Sequence, residues 1–244
     1  MTGTRVADLT VQLGRTIALT NVTVAFSSGV TAVVGANGSG KSTLLRCMAG
    51  LVRPHAGSVH VAGHSLATPD GRRAARAALG YLSQRTDFPG SYTVREALRY
   101  GAWLHRVPRA ERESTVRDAV ERFALTDHQV AELRTLSGGT RQRVYIALAS
   151  IHRPSVLMLD EPSVGLDLAQ RHALREVIHR ASQDSTVVVT THDIDDLVSM
   201  ADRLVVLAEG VVVFNGTVTE LDATGDRSNV ERQVRTLMTG AQVA

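Results

Sequence analysis

Gly35, Ala36, Asn37, Gly38, Ser39, Gly40, Lys41, Ser42 and Thr43 run consecutively, and Lys41 is the only lysine among 27 lysine and arginine residues. The spacing G-x-x-x-x-G-K-S is that of a phosphate-binding loop. Its glycines let successive backbone N–H groups turn inward around a phosphate chain, and a following helix adds its positive end. A lysine ammonium is compact enough to reach between the outer phosphates, where the broad arginine fork fits poorly. The Ser42 hydroxyl is placed to ligate Mg2+.

A phosphate loop needs a carboxylate partner for the metal. Val156 to Leu159 form an apolar run that ends in Asp160 and Glu161. A buried parallel strand delivers such acids at its carboxyl edge, where open α/β sheets bind ligands. Asp160 is expected to hold Mg2+, directly or through water, and Glu161 to polarise an attacking water. Leu136, Ser137, Gly138 and Gly139 precede a helical pattern. Ser137 suits an N-cap, and the two glycines leave the helix end open to an anion; a plain capped helix explains them equally well. His192, just past the strand-like TVVVTT, either contacts a γ-phosphate or serves the structure alone.

These residues need a scaffold of strands ending in loops. Residues 8–34 alternate in three strand-like stretches, and Ser42–Ala49 reads as a helix stopped by Gly50. Residues 57–63 and 80–84 read as short strands. Residues 93–123 turn helical and arginine-rich, with Pro108 where a second helix would begin. Beyond Ser150, strands alternate with helices near 168–182 and 193–200, then RLVVLAEG and VVVFNG form a hairpin-like pair. Alternation of this kind predicts a mainly parallel sheet with helices on both faces. The helical block 93–150 interrupts it as an insertion. The tail after Leu221 is polar with a short helical piece.

Bulk composition fits that scaffold. The 244 residues are 43% hydrophobic with a net charge of +3, enough apolar content for a core and too little charge asymmetry to indicate nucleic acid. One cysteine, Cys47, excludes an internal disulfide and suits a reducing compartment. The N-terminal residues lack the apolar core of a secretion signal, and no apolar run approaches the roughly 20 residues that span a bilayer. Arg72, Arg73 and Arg76 read as a solvated face, and Cys47 as a small packing residue.

Taken in order, the motifs resemble the nucleotide-binding subunit of an ATP-binding cassette (ABC) transporter. Residues 35–43 resemble the Walker A loop, GYLSQ with Gln84 the Q-loop, and LSGGTRQRV the family signature. VLMLDEP resembles Walker B with its glutamate, VGLD (Gly165, Leu166, Asp167) the D-loop, and TTHD the switch histidine His192. The resemblance implies a P-loop NTPase α/β core with a mainly parallel sheet and an N-terminal antiparallel β subdomain, at about 1–92 and 151–221. It implies a helical subdomain at about 93–150 and a C-terminal tail at about 222–244.

The resemblance also implies function. The chain is expected to bind ATP and Mg2+ and to hydrolyse ATP, with Glu161, His192 and Gln84 catalytic and with Ser42, Gln84 and Asp160 at the metal. Two such domains pair head to tail, so that the signature of one meets the ATP on the Walker A loop of the other. A second ATPase subunit, forming a homodimer, and a separately encoded integral membrane subunit are therefore the expected partners, with no direct nucleic acid. The expected location is peripheral, on the cytoplasmic face of a bacterial membrane. The helical block is expected to bear on the groove that receives the membrane partner. Tyr100 and Trp103 lie in that block, and as large aromatics they read first as packing residues. In the family an aromatic residue after the first strand stacks on adenine; here Leu13 takes that position, which implies weaker or less base-selective binding. EPSVGLD, TVREAL, GAWLHRVPR and VVFNGT are most similar to ATPases of bacterial exporters, with an importer motor as the alternative. A soluble cassette acting on nucleic acid or ribosomes is less consistent with one cassette, no linker and no heptad run.

Overall fold

The computed structural model describes residues 3–193, 200–222 and 227–239. The strands are β1 Thr4–Leu13, β2 Thr16–Phe26, β3 Gly29–Val34, β4 Ala56–Val61, β5 His64–Ser65, β6 Leu79–Leu82, β7 Val156–Asp160, β8 Thr186–Thr191, β9 Arg203–Ala208 and β10 Val211–Thr217. The described helices are α1 Lys41–Met48, α2 Pro69–Ala77, α3 Val94–Leu104, α4 Arg112–Arg122, α5 Gly138–Ser150, α6 Leu168–Ser182, α7 Val218–Leu221 and α8 Arg227–Thr239. The helix expected near 193–200 lies largely outside the described residues.

Two sheets carry the fold. A four-stranded sheet runs β2-β1-β4-β5, all antiparallel, and a six-stranded sheet runs β10-β9-β3-β8-β7-β6. In the larger sheet β9, β3, β8, β7 and β6 are parallel and only β10 is antiparallel, closing the hairpin with β9. The fold is that of a P-loop NTPase with an antiparallel β subdomain and a helical insertion, α3 to α5, between β6 and β7.

Side-chain alternation explains why the larger sheet is covered on both faces. In β7, Leu157 and Leu159 face the helices α3 to α6, while Val156 and Met158 join the core under α1 and the smaller sheet. Val187 and Val189 against Val188 divide β8 in the same way. At the other end, Ala32 and Val34 of β3 and Leu204 and Val206 of β9 pack on Val230 and Val234 of α8. The short helical piece expected in the polar tail is a 13-residue helix with a buried face.

Local chemistry sets the helix ends. Thr93 caps α3 in a capping box: its hydroxyl accepts from the Glu96 N–H at 3.3 Å, and Glu96 Oε2 accepts from the Thr93 N–H at 2.8 Å. Pro108 does not open α4. Its carbonyl accepts from the Glu111 N–H in a turn, and the helix starts at Arg112. The arginines expected on a solvated face belong to α2, a helix missing from the sequence reading; Arg73 and Arg76 are exposed, but Arg72 is half-buried and bonded to two carbonyls.

At the junction of the insertion with the sheet, the rings of His105 and His152 stack 3.8 Å apart and nearly parallel. His152 Nε2 bonds to the Leu79 carbonyl oxygen at 3.2 Å. Burial, reinforced by the neighbouring His105, pushes the His152 imidazole down to about 4. The ordinary value in an unfolded chain is about 6.5. Between those values the unfolded chain takes up a proton that the folded chain refuses, so stability drains away as pH falls from 6.5 towards 4. Replacing His152 with Gln should flatten the slope of unfolding free energy against pH in that window, by up to about one proton. Urea titrations at stepped pH measure this, and an unchanged slope contradicts the assignment.

Candidate functional site

The loop 35–40 joins β3 to α1 at the carboxyl edge of the parallel strands. Gly40 has φ +103°, and a Cβ there would come within 2.6 Å of Leu19 Cδ2 and 2.7 Å of the Ala18 oxygen. Gly35 is equally confined: its Cβ would meet Ser39 Oγ at 2.3 Å and the Leu207 oxygen at 2.2 Å. The turn is closed by Ser39 N–H to the Ala36 oxygen at 3.1 Å, and Gly210 N–H reaches the Ser39 oxygen at 3.1 Å. Ala36, Asn37 and Gly38 are exposed. Ser39 Oγ is buried with no hydrogen-bond partner among the described residues. A buried orphan hydroxyl in a loop whose Gly35 and Gly40 leave no room for a side chain fits a bound phosphate.

Lys41, the first residue of α1, is 4% exposed. Its Nζ donates to the Gly35 oxygen at 2.9 Å and the Ala36 oxygen at 3.1 Å, and lies 3.8 Å from Glu161 Oε1. Burial holds the ammonium below the ordinary lysine range, and the charges of Glu161 and Asp160 pull it back up. Thr43 follows Ser42 in the first turn and is half-buried.

Asp160 ends β7 and is 3% exposed. Its Oδ1 accepts from Ser42 Oγ at 3.0 Å and from Thr190 Oγ1 at 2.7 Å. Two hard oxygen donors from separate elements, one of them anionic, fit Mg2+, which takes one or two protein oxygens and completes its shell with phosphate and water. Glu161 has φ +48°, a left-handed backbone that its N–H bond to Thr190 Oγ1 at 2.9 Å helps to hold. Its side chain is 8% exposed and gathers three groups. Besides Lys41, Gln84 Nε2 donates to Oε2 at 3.4 Å, and His192 Nδ1 lies 3.1 Å from the same oxygen. Residues from four separate stretches of sequence thus meet at one carboxylate.

The remaining motif residues lie elsewhere on the surface. Ser137 caps α5, its Oγ accepting from the Thr140 N–H at 3.2 Å and donating to Thr140 Oγ1 at 3.0 Å. Ser137 and Gly138 are exposed, whereas Leu136 and Gly139 are buried. A Cβ on Gly139 would come within 2.8 Å of Gln170 Cγ, so glycine there lets α5 close on α6. No hydrogen bond or ion pair described for residues 136–139 reaches the phosphate loop. Gly165 has φ +78° with open space at its Cβ, Leu166 is buried, and Asp167 caps α6 by accepting from the Gln170 N–H at 2.8 Å.

Two contacts are additional to those expected from the sequence. Thr190 serves both acids at once; the signal was a threonine at the end of an otherwise apolar strand run. Arg171 donates from Nε to the Leu166 oxygen at 3.1 Å and pairs through Nη1 with Asp193, tying the loop at 164–167 to the residue after His192. Leu13 is 42% exposed at the end of β1, with Ile17 59% exposed just across the hairpin turn. That hairpin continues into Ala18 and Leu19, which abut Gly40.

Comparison with known proteins agrees with this geometry. A family model described as ABC transporter matches residues 19–164. The energy-coupling factor transporter ATP-binding protein EcfA1 of Latilactobacillus sakei is 36% identical over 86% of this chain and 76% of its own length. The sulfate/thiosulfate import ATP-binding protein CysA of Mycobacterium tuberculosis is 35% identical over 88% of this chain, which spans 62% of that longer protein. The structure of cbiO1 from Clostridium perfringens, part of the transporter complex cbiONQ, superposes with a TM-score of 0.84 at 28% identity, covering 95% of this chain and 94% of that one. The exporter-like resemblance read from EPSVGLD, TVREAL, GAWLHRVPR and VVFNGT is not supported; the direction stated in the CysA name is import.

Two substitutions test the site. Leu13→Tyr would add an aromatic face for adenine and should tighten ATP binding by about 1–3 kcal/mol, read by calorimetry; an unchanged dissociation constant contradicts it. Thr190→Val would take one of the two hydroxyl donors from Asp160 and the acceptor from the Glu161 N–H, and should cost about 1–3 kcal/mol of stability. An unshifted urea midpoint would show that Thr190 does not hold the two acids.

Proposed function

The chain belongs to the ABC transporter family as one of its ATP-binding ATPases, and on that premise we propose that it is the motor subunit of an importer, working as a pair of copies beneath a separate membrane-spanning partner. The observation that carries the ATPase part of this reading is the Glu161 carboxylate, gathered by Lys41, Gln84 and His192 beside the phosphate loop, and the direction rests on the import named in the CysA relative.

The residues divide the work as follows. Residues 35–43 wrap the phosphate chain of ATP, with Lys41 exchanging the Gly35 and Ala36 carbonyls for phosphate oxygens. Ser42, Asp160 and Gln84 would hold Mg2+, which when bound would neutralise charge on the phosphates. Glu161 accepts the proton of the attacking water, whose oxygen bonds to the γ-phosphorus as the bond to the leaving ADP oxygen breaks. His192, bonded to the same carboxylate, orients it and reaches the γ-phosphate. Leu136, Ser137, Gly138 and Gly139 serve the ATP of the second copy: their helix end is exposed, and the dipole of α5 favours an anion there. Gly165, Leu166 and Asp167 lie on the same opposing face.

The coupling surface is aromatic. Tyr100 and Trp103, expected as packing residues, are 41% and 56% exposed. Phe88, four residues beyond Gln84, meets Tyr92 and Tyr100 edge-on at 5.4 and 5.8 Å, and Tyr100 meets Trp103 at 5.6 Å. Large aromatics left half-open suit a protein partner more than water, and Gln84 connects that surface to Glu161. The motor is therefore peripheral at the inner face of a membrane.

Replacing Glu161 with Gln removes the proton acceptor and keeps the shape. The variant should lose hydrolysis by about 100-fold or more and should accumulate as an ATP-bound dimer on size exclusion. It should also carry a polytopic membrane protein out of mild detergent extracts. Full hydrolysis in the variant refutes the role of Glu161, and recovery of ribosomes or nucleic acid alone refutes the transport reading.

A further inference from the structure

A cavity of about 800 Å³ lies at the far end of α1, away from the phosphate loop. The end of α1, the loop after it, β4 and α2 enclose it, and no residue of the ATP site lines it. Its apolar wall includes Cys47, Val52, Val59 and Leu66. Cys47 and Val59 are buried, and burial pushes the Cys47 thiol up to about 11, so that it stays uncharged at neutral pH.

The charged part of the lining has one sign. Arg53, Arg72 and Arg76 contribute to it, and no Asp or Glu does. No ion pair among the described residues involves any of the three. Arg72 is preorganised: its Nη1 donates to the Leu66 oxygen at 2.9 Å and the Ala67 oxygen at 3.0 Å. Those bonds fix the guanidinium plane and leave its Nη2 and Nε donors for a ligand. Arg72 is half-buried while Arg53 and Arg76 are exposed at the rim, and three like charges around one cavity favour an anion there. A fixed guanidinium is well suited to a carboxylate, which it can grip with two parallel bonds. The volume is that of a small-molecule site.

We propose that this cavity binds a small organic anion, a carboxylate on a compact apolar or aromatic body, with its head on Arg72 and Arg76 and its body against Val59 and Leu66. The site is separate from the ATP site and does not depend on the function proposed above. The eight residues of α1 place it about 12 Å along one helix from Lys41.

A matched pair of fluorescent probes tests this: dansylglycine, which has the carboxylate, and dansylamide, which has the same ring system without it. Both are titrated into the intact protein under saturating Mg-ATP, which keeps the nucleotide site occupied. Dansylglycine should bind one per chain, about tenfold tighter than dansylamide, and Arg72→Gln should weaken it by about tenfold. Arg76→Gln, at an exposed side chain with no described hydrogen bond, should weaken it in the same direction with an unchanged melting temperature. This second variant separates loss of the site from loss of the fold. Absence of saturable binding, equal affinity for the neutral probe, or full affinity in Arg76→Gln and Arg72→Gln would each overturn the proposal.

Discussion

A carboxylate taken out of water has to be satisfied by its neighbours, and Asp160 is 3% exposed. Its partners, Ser42 and Thr190, come from the first turn of α1 and the end of β8. One buried acid thus fixes the phosphate loop against the edge of the sheet. It also fixes the next residue. Thr190 accepts from the Glu161 N–H while donating to Asp160, so Glu161 is held in a left-handed backbone that a residue with a side chain rarely adopts. That conformation turns the Glu161 side chain to where Lys41, Gln84 and His192 meet it. Stability and chemistry therefore rest on the same pair of hydroxyl groups.

The same arrangement leaves a second anion-favouring feature without a ligand of its own in the chain. The exposed start of α5 has no described bond to the phosphate loop, although its cap is well made. Gly139 is used inside the fold, for the close approach of α5 to α6, while Ser137 and Gly138 remain outside. Val164, in the loop at 164–167, and Leu168, just after it, are 51% and 78% exposed. Apolar residues beside an open helix end are better suited to an interface than to solvent. Arg171 connects that loop to Asp193 next to His192, giving the exposed face a physical path to the Glu161 cluster.

Much of this was legible in the sequence because period and position carry it. The strands β3, β7 and β8 read as apolar runs because both faces are covered, and the acids stood out by ending one of them. Lys41 was legible because one lysine stands among arginines in a glycine frame. Other features left no local signal. The helix α2 was hidden because PDGRRAARA buries a single residue, Ala75, and so has no apolar stripe. The length of the tail helix was hidden because its packing face is only Val230, Val234, Leu237 and Met238 in an otherwise polar stretch. Pro108 misled because its fixed φ suits a turn as well as a first helical residue. The exposure of Tyr100 and Trp103 is a tertiary fact, set by what the insertion leaves uncovered. The exporter-like reading of short phrases finds no support in the relatives, and nothing in the motor site depends on direction.

On the proposed pairing of two copies, one chain holds half of each catalytic site. The most direct test is the rate of ATP hydrolysis per chain, measured across protein concentrations that span the monomer–dimer transition. If the signature of a second copy completes the site, the rate per chain rises with concentration and levels off as sedimentation shows the dimer filling. A rate per chain that stays constant while the protein sediments as a monomer would contradict the account, because the site would then be complete within one copy.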